Sequence, residues 1–119
     1  MTFELVPSRI GDLVARLRAD APEFFSSPHY EGMDDLPQVT LGAFARYLVD
    51  QHDPTTIAAG LRIIGEFLNW NCSEATEAVE EGFFAVLKDN DTIGTVLIPA
   101  MSDSSRSAYE KWSAHEDGG

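Results

Sequence analysis

The chain of 119 residues carries twenty Asp and Glu against eight Lys and Arg, a formal charge of −12 at pH 7. Its length suits one domain spanning residues 1–119, and 44% apolar with 10% aromatic residues is ordinary globular usage, which excludes a disordered tail or a fibrous repeat. So negative a chain is repelled by phosphate backbones and anionic lipid surfaces, which argues against a nucleic-acid reader or a membrane-surface protein and leaves a basic protein partner, or plain solubility.

Cys72 stands alone, so no internal disulfide or cysteine-based zinc cluster can form, and a reducing, cytoplasmic setting is expected. Residues 1–18 interleave Glu4, Arg9, Asp12, Arg16 and Arg18 with apolar residues and lack the unbroken apolar stretch of a signal peptide. Apolar runs elsewhere, such as Ile63-Ile64 or residues 83–87, are too short for a membrane span.

Along the chain, Ile10, Leu13, Val14 and Leu17 recur at i, i+3, i+4 and i+7 and predict a helix over residues 7–19, ended by Ala21-Pro22. Residues 22–37, with three prolines and the acidic Glu31, Asp34 and Asp35, read as a long loop holding one short helical turn. Thr40 is expected to cap a helix over 40–52 whose apolar face is Leu41, Phe44, Ala45 and Leu48. Asp53 and Pro54 suit the N-cap and first position of the next helix, 54–70, with Ile57, Leu61, Ile64, Phe67 and Leu68 inward. Its small residues Gly60 and Gly65 admit a close neighbour, so this helix is expected at the centre.

Ser73 is expected to cap a helix over 73–88 with Ala75, Gly82, Phe83, Val86 and Leu87 inward. Residues 92–101 have the β-branched character of a strand but no second strand to pair with, so a short helix is predicted, and residues 103–115 complete the set, with 116–119 expected to fray. Five or six helices joined by short turns imply an all-α fold, a single compact bundle of mostly antiparallel helices.

Few residues stand in a pattern that suits catalysis or metal binding. His29, His52 and His115 lie near predicted helix ends, and none is within four residues of another, so no metal-ligand spacing exists. Asp89-Asn90-Asp91-Thr92-Ile93-Gly94 resembles the front of a calcium loop but puts Ile93 at the fifth ligand place and Ala100 at the twelfth, which reads as a turn between helices. No glycine-rich phosphate loop occurs, and no cofactor is expected. Glu66, inside an apolar helix, is either paired with an arginine such as Arg62 or Arg106 or is a general acid or base. Cys72 reads as a structural thiol.

The clearest surface signal is charge placement. Glu74, Glu77 and Glu81 fall at i, i+3 and i+7 with Glu80 beside them, a negative ridge on one helix. Asp34 and Asp35 form a second cluster in the long loop, with Tyr30 and Met33 as apolar anchors. Both clusters fit a solvated face; both also fit docking of a basic protein, where such fields raise association rates.

Residues Leu61-Arg62-Ile63-Ile64-Gly65-Glu66-Phe67-Leu68, then Gly82-Phe83-Phe84 and Leu87, Leu97-Ile98-Pro99, Ser105-Arg106, Tyr109 and Trp112, carry a resemblance. Over roughly residues 40 to 113 their order and spacing resemble an uncharacterised family of small helical bacterial proteins associated with polymorphic secreted toxins as immunity proteins. Ala85 stands where that pattern has an acidic residue. The resemblance implies a non-enzymatic inhibitor that binds and neutralises a cognate toxin domain in the cytoplasm; the acidic surface suggests in addition that the toxin is basic, with Glu74, Glu77, Glu80, Glu81, Asp34 and Asp35 as contacts. Two other classes remain: a helical adaptor that binds through an exposed apolar groove, and a small enzyme using Glu66.

Overall fold

The computed structural model describes residues 10–30, 32, 36–70 and 72–118, with side chains between 12 and 115. Among them the regular elements are all helical: α1 (Ile10–Asp20), α2 (Pro22–Phe25), α3 (Pro37–Gln51), α4 (Pro54–Leu68), α5 (Ser73–Ala78), a π-helical segment (Val79–Phe84), α6 (Ala85–Asp89), α7 (Asp91–Leu97), a 3₁₀ turn (Ile98–Ala100) and α8 (Asp103–Gly118). The all-α class read from the apolar periodicities is the class observed, and residues 92–101 are helical, with no strand among the described residues. None of these helices is long and apolar enough to cross a membrane.

The helix starts show where local chemistry overrides simple cap rules. α4 begins as expected: Asp53 is the N-cap, its carboxylate accepts from the Thr55 N–H and the Thr56 hydroxyl, and Pro54 is the first helical residue. α3 starts earlier than expected, at Pro37, so Thr40 is not its cap but a buried residue inside the first turns. Pro37 explains the shift, because a proline's fixed φ and missing N–H fit the first turn, where that donor would be unpaired anyway. Likewise Cys72, not Ser73, is the N-cap of α5, with extended backbone and no side-chain cap bond. Asn90 caps α7 by accepting from the Ile93 N–H, which makes the calcium-loop look-alike a capped turn between α6 and α7. α8 runs to Gly118, beyond the expected end at 115, since no helix breaker precedes the terminal glycines.

The centre of the molecule is α3, not the 54–70 helix expected there. α3 meets α1, α4, α5, α6, α7 and the π segment, and from Thr40 to Ala45 each of its residues is buried. The run of small and apolar residues from Leu41 to Ala45 lets neighbours approach α3 from several sides, with Gln38, Arg46 and Asp50 left on its outer edge, whereas α4 meets fewer elements and exposes Ala58 and Arg62. Two glycines set the closest approaches. A Cβ on Gly60 would lie 2.6 Å from Leu48 Cδ2, so α4 seats Leu48 of α3 directly against its backbone. A Cβ on Gly82 would lie 2.2 Å from the Gln38 carbonyl oxygen, so the π segment and the start of α3 touch backbone to backbone.

Phe24, Phe44, Phe67, Phe83 and Phe84 are fully buried, each contributing about 2 kcal/mol by removal of apolar surface from water. The short helical turn expected within residues 22–37 is α2, and it is packed into the core. Phe24 of α2 stacks edge-on against Phe44 and Tyr47 at centroid distances of 5.3 Å, and Tyr30 closes over Phe24 and Phe25. Arg18 lies 4.2 Å above the Phe25 ring, and His29 Nε2 meets Asp50 Oδ2 at 2.6 Å, tying residues 22–30 to α1 and α3. At the other end, Arg106 donates to the carbonyls of Ile98, Pro99 and Met101, satisfying acceptors that the 3₁₀ turn leaves open and fixing the start of α8.

Candidate acidic groove

Residues 73–89 form one helical run with a π segment in its middle, and that segment decides where the glutamates face. The i→i+5 bonding of a π turn adds a residue and widens the helix. Gly82, Phe83 and Phe84 are consequently buried in succession, Phe83 toward Phe44 of α3 and Phe84 toward Tyr109 and Trp112 of α8 at 5.4 and 6.0 Å. With that side of the run anchored to two helices, Glu77 and Glu81 are exposed and Glu80 is half-buried along a groove shared with α8.

The groove has a volume of about 770 Å³. Glu77, Glu80 and Glu81 form one wall; Ala108, Lys111, Trp112 and His115 form the other. The second wall was not singled out from sequence, although its signal was present: 108, 111, 112 and 115 stand at i, i+3, i+4 and i+7, one face of α8. Three carboxylates face one ammonium and one imidazole, so the groove is net negative, and half-buried Trp112 supplies an aromatic surface among the charges.

The ridge read from the sequence is therefore one side of a groove and not an unobstructed face. Glu74 is exposed in the first turn of α5 and does not line it. Tyr30 also lies elsewhere, half-buried in the aromatic cluster with Phe24 and Phe25. Met33, Asp34 and Asp35, the rest of the loop cluster, lie outside the described residues. Glu81 additionally borders a neighbouring groove of about 550 Å³ with Gln38, Arg46 and Asp89, so its carboxylate is reachable from two sides.

Glu66, the candidate acid or base, pairs with neither Arg62 nor Arg106. Its Oε1 lies 2.5 Å from Nη1 of Arg16 on α1, an ion pair whose angle leaves that oxygen without an aligned hydrogen bond, and its side chain is 44% exposed. Sequence spacing could not find this partner, since Arg16 is brought in from α1 by tertiary packing. Arg16 also pairs with Asp20, and the two carboxylates, Asp20 foremost, hold the guanidinium's pKa above its ordinary value. Arg106 instead pairs with Asp103. Glu66 lines a groove of about 410 Å³ with Arg62, Asn69, Ser102 and Ser104, whose hydroxyls bond to each other or to the backbone of α8. Among the described residues no three His, Cys, Asp or Glu side chains are grouped to hold a metal ion.

No family model matches the chain, and neither a curated protein nor a solved structure matches it.

Proposed function

We propose that the chain is a non-enzymatic binding protein whose acidic groove receives a basic surface of a partner protein, and that the partner is a cognate toxin domain which this binding neutralises in the cytoplasm. The observation that carries the reading is the convergence of Glu77, Glu80 and Glu81 with Trp112 in one groove on a chain of net charge −12. Carboxylates clustered in a concave site steer a basic partner by long-range attraction, and a half-buried aromatic gives it a place to anchor once it arrives. The toxin class rests on the sequence resemblance described above.

Two observations favour this groove over the alternatives. An adaptor that binds helices needs an apolar stripe, and the large exposed apolar side chains among the described residues, Leu36 and Val96, belong to separate elements. An enzyme built on Glu66 needs a carboxylate poised for proton transfer, whereas this one, although half-exposed in its groove, is ion-paired to Arg16.

Capture from the source lysate tests the proposal, using tagged wild-type protein and the Glu77→Lys/Glu81→Lys double variant as baits. The expected result is one basic protein held stoichiometrically by the wild type, released by moderate salt and lost from the variant. Co-expression of that protein should be toxic alone and tolerated with the wild-type chain. Retention of the same proteins by both baits would remove the groove from the account.

A further inference from the structure

A second pocket lies far simpler in chemistry than the acidic groove, between the end of α1 with α2 and the crossing of α3 on α4. Its volume is about 200 Å³, room for about six waters at about 30 Å³ each or for a short unbranched alkyl chain and its head group. Leu48, Gly60 and Ile63 make its apolar floor, and Asp20, Glu23 and Thr56 stand at the polar rim. Tyr47 also lines it: its ring is buried, while its hydroxyl is open to solvent and has no hydrogen-bond partner among the described residues.

The charged groups at this pocket are both acceptors, the carboxylates of Asp20 and Glu23, and the hydroxyls of Tyr47 and Thr55 beside them can accept as well as donate. Thr56 already donates its hydroxyl proton to Asp53 at 2.7 Å, so what it presents to the pocket is lone pairs. Glu23 carries no ion pair among the described residues, while Asp20 is shared with Arg16. An anion would be repelled by this rim. A neutral apolar molecule would cover the floor and shut the Tyr47 hydroxyl off from water without offering it a partner, which is costly. A cation rich in donors on an apolar stem satisfies both halves.

We propose that this pocket binds a primary alkylammonium group, its stem packed on Leu48 and Ile63 and its ammonium held by Glu23 and the hydroxyl oxygens of Thr56 and Tyr47. Burial, and secondarily the charge of Glu23, raise the pKa of Tyr47, which keeps its phenol protonated and neutral beside the bound cation. The shared chemistry has two sources, a lysine side chain of a polypeptide or a free aliphatic amine. The site is separate from the acidic groove and stands or falls without it.

Titration of isotopically labelled protein with n-butylammonium chloride, followed by NMR, tests the assignment against n-butanol as a neutral isostere and sodium chloride as a salt control. Saturable shifts at Tyr47, Thr56 and Ile63 with butylammonium alone are expected. Glu23→Gln should weaken binding about tenfold and Tyr47→Phe about fivefold, the usual scale for a charged and a neutral hydrogen-bond partner. Glu110→Gln on exposed α8 should change nothing. Shifts that never saturate, an equal response to butanol, or full binding by Glu23→Gln would overturn the proposal. Tighter binding of Nα-acetyl-lysine methylamide than of butylammonium identifies a polypeptide lysine as the natural occupant; weaker binding identifies a free amine.

Discussion

Asp53 holds the first turn of α4 through the Thr55 N–H and the Thr56 hydroxyl, and those bonds hold its pKa below the ordinary 3.8, the Thr56 bond foremost. A carboxylate whose folded pKa is depressed contributes stability above its unfolded pKa and loses it as pH falls through the folded value. Asp53→Ala should therefore lower the melting temperature at pH 6, and the gap to wild type should narrow below about pH 3.8, as thermal melts across that range would show. His52, just before it, sits in the left-handed region at φ 52° and ends α3. His52→Gly should relieve that strain and stabilise the protein by about 0.5–1 kcal/mol in urea titrations. Both residues were legible in the sequence, Asp53 as a cap before proline and His52 as a helix end, because the chemistry of a cap is local. The partner of Glu66 was not, because Arg16 arrives from fifty positions earlier through packing that no local pattern encodes.

Among the elements, the 3.6-residue period placed α1, α3 and α4 because each carries an apolar face, and α8 from Tyr109 and Trp112 at i and i+3. It misplaced their boundaries where Pro37 and Cys72 moved a start by one to three residues. The π segment was not legible at all. Its widened turn buries Phe84, which an unbroken α-helical phase leaves off the inner face, and it turns the glutamates toward α8. The device that permits it is Gly82 against the Gln38 carbonyl. Gly82→Ala places a methyl where backbone stands, with no flexible side chain to yield, so a loss of about 3 kcal/mol is expected from chemical denaturation. An unchanged midpoint would mean that α3 and the π segment are not in backbone contact. Arg106→Ala, which frees three carbonyls around the 3₁₀ turn, should cost about 1–2 kcal/mol in the same assay.

For the whole molecule, the sequence made the sign of the charge plain, while the concavity that concentrates it required the fold. Composition announced an acidic surface; only the packing of residues 73–89 on α8 sets Glu77, Glu80 and Glu81 across from Lys111 and His115. The opposing wall makes the account sharper, since the two walls should act on a basic partner with opposite sign. Loss of the ammonium in Lys111→Glu should speed association, and the Glu77→Lys/Glu81→Lys pair should slow it about tenfold at low salt, with both effects fading as ionic strength rises. The association rate of the captured partner with wild type and these two variants, taken across ionic strength, decides whether the acidic groove is the recognition surface. The account predicts opposite displacements of the two variants from wild type that converge in high salt. Equal rates for all three at low salt would contradict it and place recognition outside the acidic groove.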